Sequence, residues 1–293
     1  MMPVLLIHGG AGKERSDQSR ARIAAHLRDI AEKSWEALAA GAPALSVVVA
    51  ATARLEADPI FNAGTGSKLQ IDGKARLSAS LMDGEARRFS GVVNVEHLAH
   101  PITLCRHLLD EDDRVLAGQG ALARARELGL PEKDLTTPES IARWESGVAG
   151  KTGTVGAIAL DVDGRLAAAT STGGRGLERV GRVSDSCTVA GNYATGTAAV
   201  SCTGVGEDIV DGALAVRLVS SVEAGLSMAQ AAKILHQEMS EQRWAAGLIA
   251  LDRTGAWATP HTTDRMYWHV VAPAGSEAEP GATTHTSFHT DQG

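Results

Sequence analysis

Two threonines, Thr154 and Thr172, stand at the ends of a stretch that reads as a buried β-hairpin. Val155 to Leu160 is small or apolar throughout, the pattern of a strand covered on both faces, and Leu166 to Thr170 reads as the returning strand. Asp163-Gly164 between them is a two-residue turn signal. Folded in this way, the hairpin brings Thr154 level with Thr172. A threonine hydroxyl is a weak nucleophile at neutral pH and needs a base beside it. An N-terminal threonine carries its own base, an α-amine of pKa about 7.7–8.0. Thr154 would gain that amine only through cleavage of the Gly153–Thr154 bond. Glycine at 153 suits the step, because it tolerates dihedrals that expose its carbonyl to attack. Set against this, threonine is an ordinary β-former at strand ends, and the hairpin alone favours that plainer reading.

Three further groups carry chemistry. Gly181-Arg182-Val183-Ser184-Asp185 spaces a guanidinium three residues from a carboxylate. On a surface such a pair contributes about 0–1 kcal/mol. Beside a hydrolytic threonine it would do more, the arginine fork gripping a carboxylate and the aspartate an ammonium, the two charged ends of an amino acid. Ala198 to Cys202 reads as a strand entering Thr203-Gly204-Val205-Gly206-Glu207, with a helix beyond that places Ile209, Ala213 and Val216 on one face. Backbone N–H groups at a glycine turn entering a helix are ready donors for a developing oxyanion. His8-Gly9-Gly10 ends an apolar strand, Val4 to Ile7. Such a turn can supply oxyanion donors in α/β hydrolases, but no Gly-x-Ser-x-Gly occurs in the chain, and a tight glycine turn accounts for it equally well.

The run from Gly153 to Asp161, continued by Ala167 to Gly174, resembles the plant-type L-asparaginase/isoaspartyl peptidase family of N-terminal nucleophile hydrolases, Thr type. Phe61-Asn62-Ala63-Gly64-Thr65-Gly66-Ser67 with Met82-Asp83-Gly84, the Arg182–Ser186 loop, Thr203–Glu207 and Gly247-Leu248-Ile249-Ala250 agree with it in order. The resemblance therefore runs from His8 to about Met266. It implies an α+β fold, a four-layer αββα sandwich. It also implies autoproteolysis between Gly153 and Thr154, with Thr172 hydrogen-bonding the freed nucleophile and Thr203 and Gly204 forming the oxyanion hole. Arg182, Asp185 and Gly206 become substrate-binding residues, Asn62 lies near the scissile bond, and His8, Gly9 and Gly10 support maturation. A structural sodium is implied on the backbone carbonyls of Leu55, Glu56, Asp58, Phe61, Ala63 and Thr65, with no cofactor for catalysis. The implied activity releases L-aspartate from β-aspartyl (isoaspartyl) dipeptides, β-Asp-Arg among them, or from L-asparagine, and cut protomers are implied to pair as a dimer. The chain departs from the family pattern at Arg76-Leu77-Ser78-Ala79, where Glu-x-Asp-Ala is usual, and at Ser184, Cys187 and Val205. These departures favour a dipeptidase of narrowed specificity.

The nucleophile divides the chain into residues 1–153, with linker composition over about 130–153, and residues 154–293, both halves forming one domain. Pro131, Thr136-Thr137-Pro138 and Ser146-Gly147-Val148-Ala149-Gly150 mark the linker, and a Gly-, Pro-, Glu- and Thr-rich tail from about 272 reads as disordered. Ile23, Leu27, Ile30 and Leu38 follow helical spacing over Arg22 to Ala40, with Gly41 as a stop. Pro43 to Leu55 suits either a strand or a buried helix, and the resemblance implies the helix. Pro101 to Leu109 and Leu116 to Leu128 read as helices, and Ser227-x-x-Gln230 is a capping box opening another.

Composition removes other classes. A net charge of −7 without a Lys/Arg cluster argues against nucleic-acid or anionic-membrane partners. Three scattered cysteines in no metal spacing, with neither a signal peptide nor a membrane span, point to a reduced cytoplasmic setting. Gly150-Lys151-Thr152 ends like a P-loop, but Glu145 stands where its first glycine is required, and Ile209 breaks the dinucleotide fingerprint at Gly204-Val205-Gly206. Two alternatives remain at this stage: a glycosylasparaginase-like amidase, and a non-catalytic or nucleotide-binding protein that keeps the fold.

Overall fold

The computed structural model describes residues 1–12, 16–147 and 153–272. In chain order, the first half contains β1 (Val4–Gly12), α1 (Asp17–Ala39), α2 (Ala44–Ala57), β2 (Leu77–Asp83), β3 (Arg88–Val95), α3 (Pro101–Leu108), β4 (Val115–Ala117), α4 (Gly118–Glu127) and α5 (Pro138–Glu145). The second half contains β5 (Val155–Leu160), β6 (Leu166–Thr172), β7 (Asn192–Ala194), β8 (Ala198–Gly204), α6 (Gly206–Gly212), α7 (Leu214–Glu223), α8 (Met228–Glu241), β9 (Ala246–Asp252), β10 (Trp257–Ala258) and β11 (Arg265–Val271). Seven strands form one sheet in the order β11-β1-β5-β6-β2-β3-β4, and four form a second in the order β10-β9-β8-β7.

The period-2 alternation of the central strands shows why the layers stack as they do. Along β1, Leu5 and Ile7 pack with α1 to α4, whereas Val4 and Leu6 face the second sheet. Along β5, Ala157 and Ala159 take the helix side, and Ile158 and Leu160 the sheet side. Every residue of β5 and β6 is buried, as strands covered on both faces require. The second sheet lays its outer face on α7 and α8 through Val200, Leu218, Val219, Leu235 and Leu248. Helix, sheet, sheet, helix is the resulting order, the four-layer αββα arrangement.

Most local readings agree with these elements, and the differences have physical causes. α1 starts earlier than apolar spacing predicts because the Ser16 hydroxyl caps it, accepting from the Ser19 N–H at 3.4 Å. Pro43 to Leu55 is helical. Leu116 and Ala117 are not: they extend as β4 beside β3, and α4 begins at Gly118. The helix beyond Gly206 is broken at Ala213, which adopts a left-handed conformation (φ 46°), so Val216 leaves the face shared with Ile209. The break redirects the Ala215 N–H to the Ala190 carbonyl at 2.8 Å.

Asp163-Gly164 does not make a two-residue turn. The loop spans 161–165 and is closed by the Asp161 carboxylate, which accepts from the N–H groups of Asp163 and Arg165 at 3.0 and 2.9 Å. The linker composition of 130–153 does not prevent structure either. Leu135 is buried, its carbonyl accepts from Gly66 N–H at 2.8 Å, and α5 opens on a capping box of Thr137 and Ser140. Val148–Thr152 of the linker and nearly all of the tail lie outside the described residues. No helix among the described residues is long and apolar enough to cross a membrane.

Candidate active site

β5 and β6 pair antiparallel with Val155 opposite Ser171, which sets Thr154 against Thr172. Their hydroxyl oxygens are 3.2 Å apart, with Thr154 donating, and Thr172 Oγ1 also accepts from the Gly174 N–H at 3.1 Å. Thr154 is only 6% exposed. The small opening that remains is the floor of a cavity of about 190 Å³, lined also by Gly153, Gly174, Arg175, Arg182, Asp185 and the turn from Gly204 to Glu207.

Gly153 sits in the left-handed half of backbone space at φ 147°. A Cβ there would lie 2.7 Å from the Asn62 Cβ, so Asn62 packs directly on the residue before Thr154. The Asn62 side chain is fixed at both ends: Oδ1 accepts from the Lys68 N–H at 2.9 Å, and Nδ2 donates to the Gly174 carbonyl at 2.5 Å. Gly9 and Gly10 of the first strand have separate duties. A Cβ at Gly9 would strike the Phe61 ring at 2.5 Å. One at Gly10 (φ 111°) would stand 3.1 Å from the Gly153 Cα and 3.4 Å from its carbonyl carbon. Gly10 therefore lies against the proposed scissile peptide.

His8 is buried behind the site with Nε2 2.9 Å from the Ser201 hydroxyl, which in turn lies 2.7 Å from Thr170 Oγ1. Burial lowers the pKa of His8 to about 3, so the ring is neutral at physiological pH. It is a structural support beneath Thr154 and does not titrate where a general base would have to.

Thr203 is fully buried, and its hydroxyl accepts from the Ala11 N–H at 3.2 Å, which leaves its own proton free to donate. Gly204 follows it into the cavity wall at φ 145°, where a Cβ would collide with the Ala245 carbonyl at 2.4 Å. Gly206, the first residue of α6, touches both charged groups. A Cβ there would lie 2.8 Å from Asp185 Oδ1 and 3.0 Å from Arg182 Nη2.

The Arg182 fork is already engaged. Nε and Nη2 each donate to a Glu207 carboxylate oxygen at 2.8 Å, leaving the Nη1 edge for another partner. Burial works against the Arg182 charge, yet Glu207 outweighs it and raises the guanidinium pKa. Asp185 is buried, and its Oδ2 has no hydrogen-bond partner among the described residues. Desolvation pushes its pKa up to about 7, against the pull of Arg182. A buried carboxyl with a free oxygen is an open demand for a donor.

Glu207 and Arg175 are cavity residues that the sequence reading does not assign. Glu207 stands in a quoted motif, but nothing in the spacing pairs it with Arg182. Four of the departures also find places. Ser78 sits across from Thr172 and accepts from the Asn94 N–H at 3.1 Å. Ser184 and Val205 line the cavity. Cys187 packs against Gly91, and burial pushes its thiol up to about 12, so it is inert.

The loop from Leu55 to Thr65, on which the resemblance implies a sodium, closes on itself. The Glu56 carbonyl accepts from Thr65 N–H at 2.8 Å and the Asp58 carbonyl from Phe61 N–H at 3.2 Å. Gly64 (φ 62°) admits the Glu56 carbonyl where a Cβ would otherwise stand. Each of these two oxygens keeps a second lone pair, so the loop fits a monovalent cation held by carbonyls. The Glu56 side chain points elsewhere, accepting from the Ser171 hydroxyl at 2.7 Å and the Ile102 N–H at 3.2 Å. No cluster of three or more His, Cys, Asp or Glu side chains is placed for a metal among the described residues.

Comparison with known proteins gives an independent measure. The family model described as Asparaginase matches residues 1–150 and 145–278. An isoaspartyl peptidase/L-asparaginase of Synechocystis sp. is 44% identical over 88% of this chain and 84% of its own length. An isoaspartyl peptidase of Escherichia coli is 37% identical over 90% of this chain and 91% of its own. A plant-type L-asparaginase of Pyrococcus abyssi is 34% identical over 96% of this chain and its own full length.

Proposed function

The chain belongs to the asparaginase family, and from that premise we propose that it is an autoprocessing threonine hydrolase that cleaves the side-chain amide of aspartyl substrates, β-aspartyl dipeptides and L-asparagine, to release L-aspartate. One observation carries the reading. A single cavity is lined both by a hydroxyl pair, Thr154 and Thr172, and by an unsatisfied carboxyl beside a guanidinium, Asp185 and Arg182.

In the translated chain the Thr154 nitrogen is a peptide nitrogen and cannot act as a base. Maturation comes first. Thr154 Oγ1 adds to the Gly153 carbonyl carbon, the C–N bond breaks as its nitrogen takes a proton, and the resulting ester is hydrolysed by one water. Gly10 and Asn62, packed on Gly153, hold the peptide for attack. The products are a new carboxylate on Gly153 and a free α-amine on Thr154.

That amine, with a pKa of about 7.7–8.0, takes the hydroxyl proton as Oγ1 attacks the substrate's side-chain carbonyl. Thr172 orients Oγ1 through the hydrogen bond already formed. The Thr203 hydroxyl and the Gly204 N–H receive the oxyanion. The leaving nitrogen departs protonated, an aspartyl ester stays on Thr154, and water releases aspartate. Asp185 takes the substrate ammonium and the Nη1 edge of Arg182 its α-carboxylate, which restricts the reaction to aspartyl residues with both groups free. The carbonyl loop from Leu55 to Thr65 would hold sodium as a brace and enters no step. Two cut protomers pair, and the enzyme works in the cytoplasm; three buried, unbridged cysteines support a reducing setting.

The test is intact mass and N-terminal sequencing of purified protein, followed by assay of aspartate release. Two chains are expected, the second beginning Thr-Val-Gly, with Thr154→Ala remaining uncut and inactive. A single stable chain with full activity would overturn the mechanism. The same outcome separates the hydrolase from a non-catalytic protein of this fold.

A further inference from the structure

Arg175 stands at the mouth of the cavity with its side chain exposed, and among the described residues it makes neither a hydrogen bond nor an ion pair. Its backbone, by contrast, is tied to the catalytic threonines. The Gly173 N–H donates to the Asn62 carbonyl at 2.9 Å, and the Gly174 N–H to Thr172 Oγ1 at 3.1 Å. Gly174 (φ 77°) leaves no room for a Cβ, since Glu178 Oε1 would be 1.9 Å away. The segment therefore cannot drift, and Arg175 leaves the chain one residue beyond the group that touches the nucleophile's partner.

The remaining charges of the cavity are accounted for. Asp185 and the free edge of Arg182 match the ammonium and α-carboxylate of the aspartyl half of a substrate. Both Glu207 oxygens are held by Arg182; the Arg175 charge lies near enough to help lower the Glu207 pKa but makes no ion pair with it. One cation is left over, lining the cavity and exposed, where a leaving group passing to solvent can meet it. Asparagine sheds ammonia, which offers a cation nothing. A β-aspartyl dipeptide sheds an amino acid whose α-carboxylate stands within a few bonds of the departing nitrogen.

Resting on the hydrolase reading above, we propose that Arg175 binds the free α-carboxylate of the leaving amino acid, so that the site selects β-aspartyl dipeptides with an open C-terminus. The guanidinium suits this role, being a permanent charge with a planar fork that matches a carboxylate. Exposure to water limits the gain to about tenfold in kcat/KM.

The experiment compares β-Asp-Leu with its C-terminal amide and with L-asparagine, using matured wild type, Arg175→Gln and Arg175→Lys, by aspartate release. Wild type is expected to prefer the free acid over the amide by about tenfold. Arg175→Gln should bring that ratio to about one, chiefly through KM, and Arg175→Lys should recover part of it. Equal use of acid and amide by wild type, or an unchanged ratio in Arg175→Gln, overturns the proposal while leaving the hydrolase intact. Failure of wild type to release aspartate from any of the three overturns the hydrolase reading and the proposal with it.

Discussion

Gly206→Ala isolates the substrate grip from the chemistry. Gly206 is the first residue of α6 and does not occupy left-handed backbone, so alanine meets no dihedral penalty and is the better helix former. What the methyl meets is the grip itself: Asp185 Oδ1 and the Ser184 Cβ at 2.8 Å and Arg182 Nη2 at 3.0 Å. Real Cβ contacts are longer, so the carboxyl and the guanidinium must move by several tenths of an ångström, in a loop whose Glu207 fork holds Arg182 from the other side. Overpacking of this kind costs about 1–3 kcal/mol. Relief by displacing the two side chains transfers most of that cost from the fold to substrate binding. Steady-state kinetics on a β-aspartyl dipeptide should then show kcat/KM lowered by roughly 5- to 150-fold. KM should carry most of the loss, because Thr154 and the oxyanion turn are untouched. Thermal unfolding should shift by no more than about 2–4 °C. Gly196→Ala, where a Cβ meets nothing within 4 Å, is the control and should match wild type in both measurements. A kcat/KM for Gly206→Ala within twofold of wild type would refute the placement of substrate between Arg182 and Asp185.

Three further outcomes follow from the same geometry. Thr203→Ala removes an oxyanion donor and should lower kcat by roughly a hundred- to thousand-fold with little change in KM, whereas Thr203→Ser should restore most of it; a kcat for Thr203→Ala within a few-fold of wild type excludes Thr203 from the hole. Asp185 has its pKa raised to about 7, so its protonated form favours the free fold at low pH and this stability is lost as pH rises through about 7. Asp185→Asn should accordingly raise the melting temperature at pH 8, by up to roughly 4 kcal/mol of stability, while abolishing substrate binding; an unchanged or lower melting temperature contradicts the buried free carboxyl. His8 and His269 are depressed to about 3 and about 4, so the unfolded chain takes up protons first as pH falls below 6.5. His269→Gln should therefore lose less stability than wild type as pH falls from 6.5 towards 4, when melting is followed against pH.

The hairpin, the nucleophile and the charged loop were legible because they are local. Apolar β5 and β6 flank a short loop, and a hydroxyl at each outer end falls into register by counting. Arg182 and Asp185 lie within one loop, as do Thr203 and Gly204. The remainder depends on distant pairings that no spacing encodes. Glu207 reaches Arg182 from the start of α6, Asn62 reaches Gly153 and Gly174 from far back along the chain, and Ala11 donates to Thr203 across the two sheets. The helix predicted past Gly206 misses its break, because the break is set by a tertiary bond from Ala215 to Ala190. Likewise α5 is hidden in linker composition, since its capping box uses Ser140 where glutamate or glutamine is the usual signal.

The site is better understood as the polar end of one packing layer than as a cleft added to a fold. The faces of the two sheets that meet are apolar at one end, through Val4, Leu6, Ile158, Leu160, Ala168, Ala199 and Leu251. Continuing two residues at a time along the same faces, β1 reaches His8, β6 reaches Thr170 and Thr172, and β8 reaches Ser201 and Thr203. Backwards along β5 the same step reaches Gly156 and then Thr154. The strand period that buries the core thus also aims these hydroxyls at one another, and each strand's alternation fixes the facing of its polar residues as firmly as that of its leucines. Gly156 shows how tight the transition is: a Cβ there would lie 2.0 Å from the Ser201 hydroxyl and 2.6 Å from His8 Nε2. Water has little space beneath Thr154, and the neutral His8–Ser201–Thr170 chain links three of the layer's polar groups without placing a charge there. The charges proposed to bind substrate sit instead on the loop and helix start beyond the strand ends, where Asp185, Arg182 and Glu207 line the cavity. A one-residue slip of β5 against β6 would turn Thr154 towards α2 and leave Thr172 without its partner. Register, more than any single side chain, is what sets the Thr154 hydroxyl against Thr172.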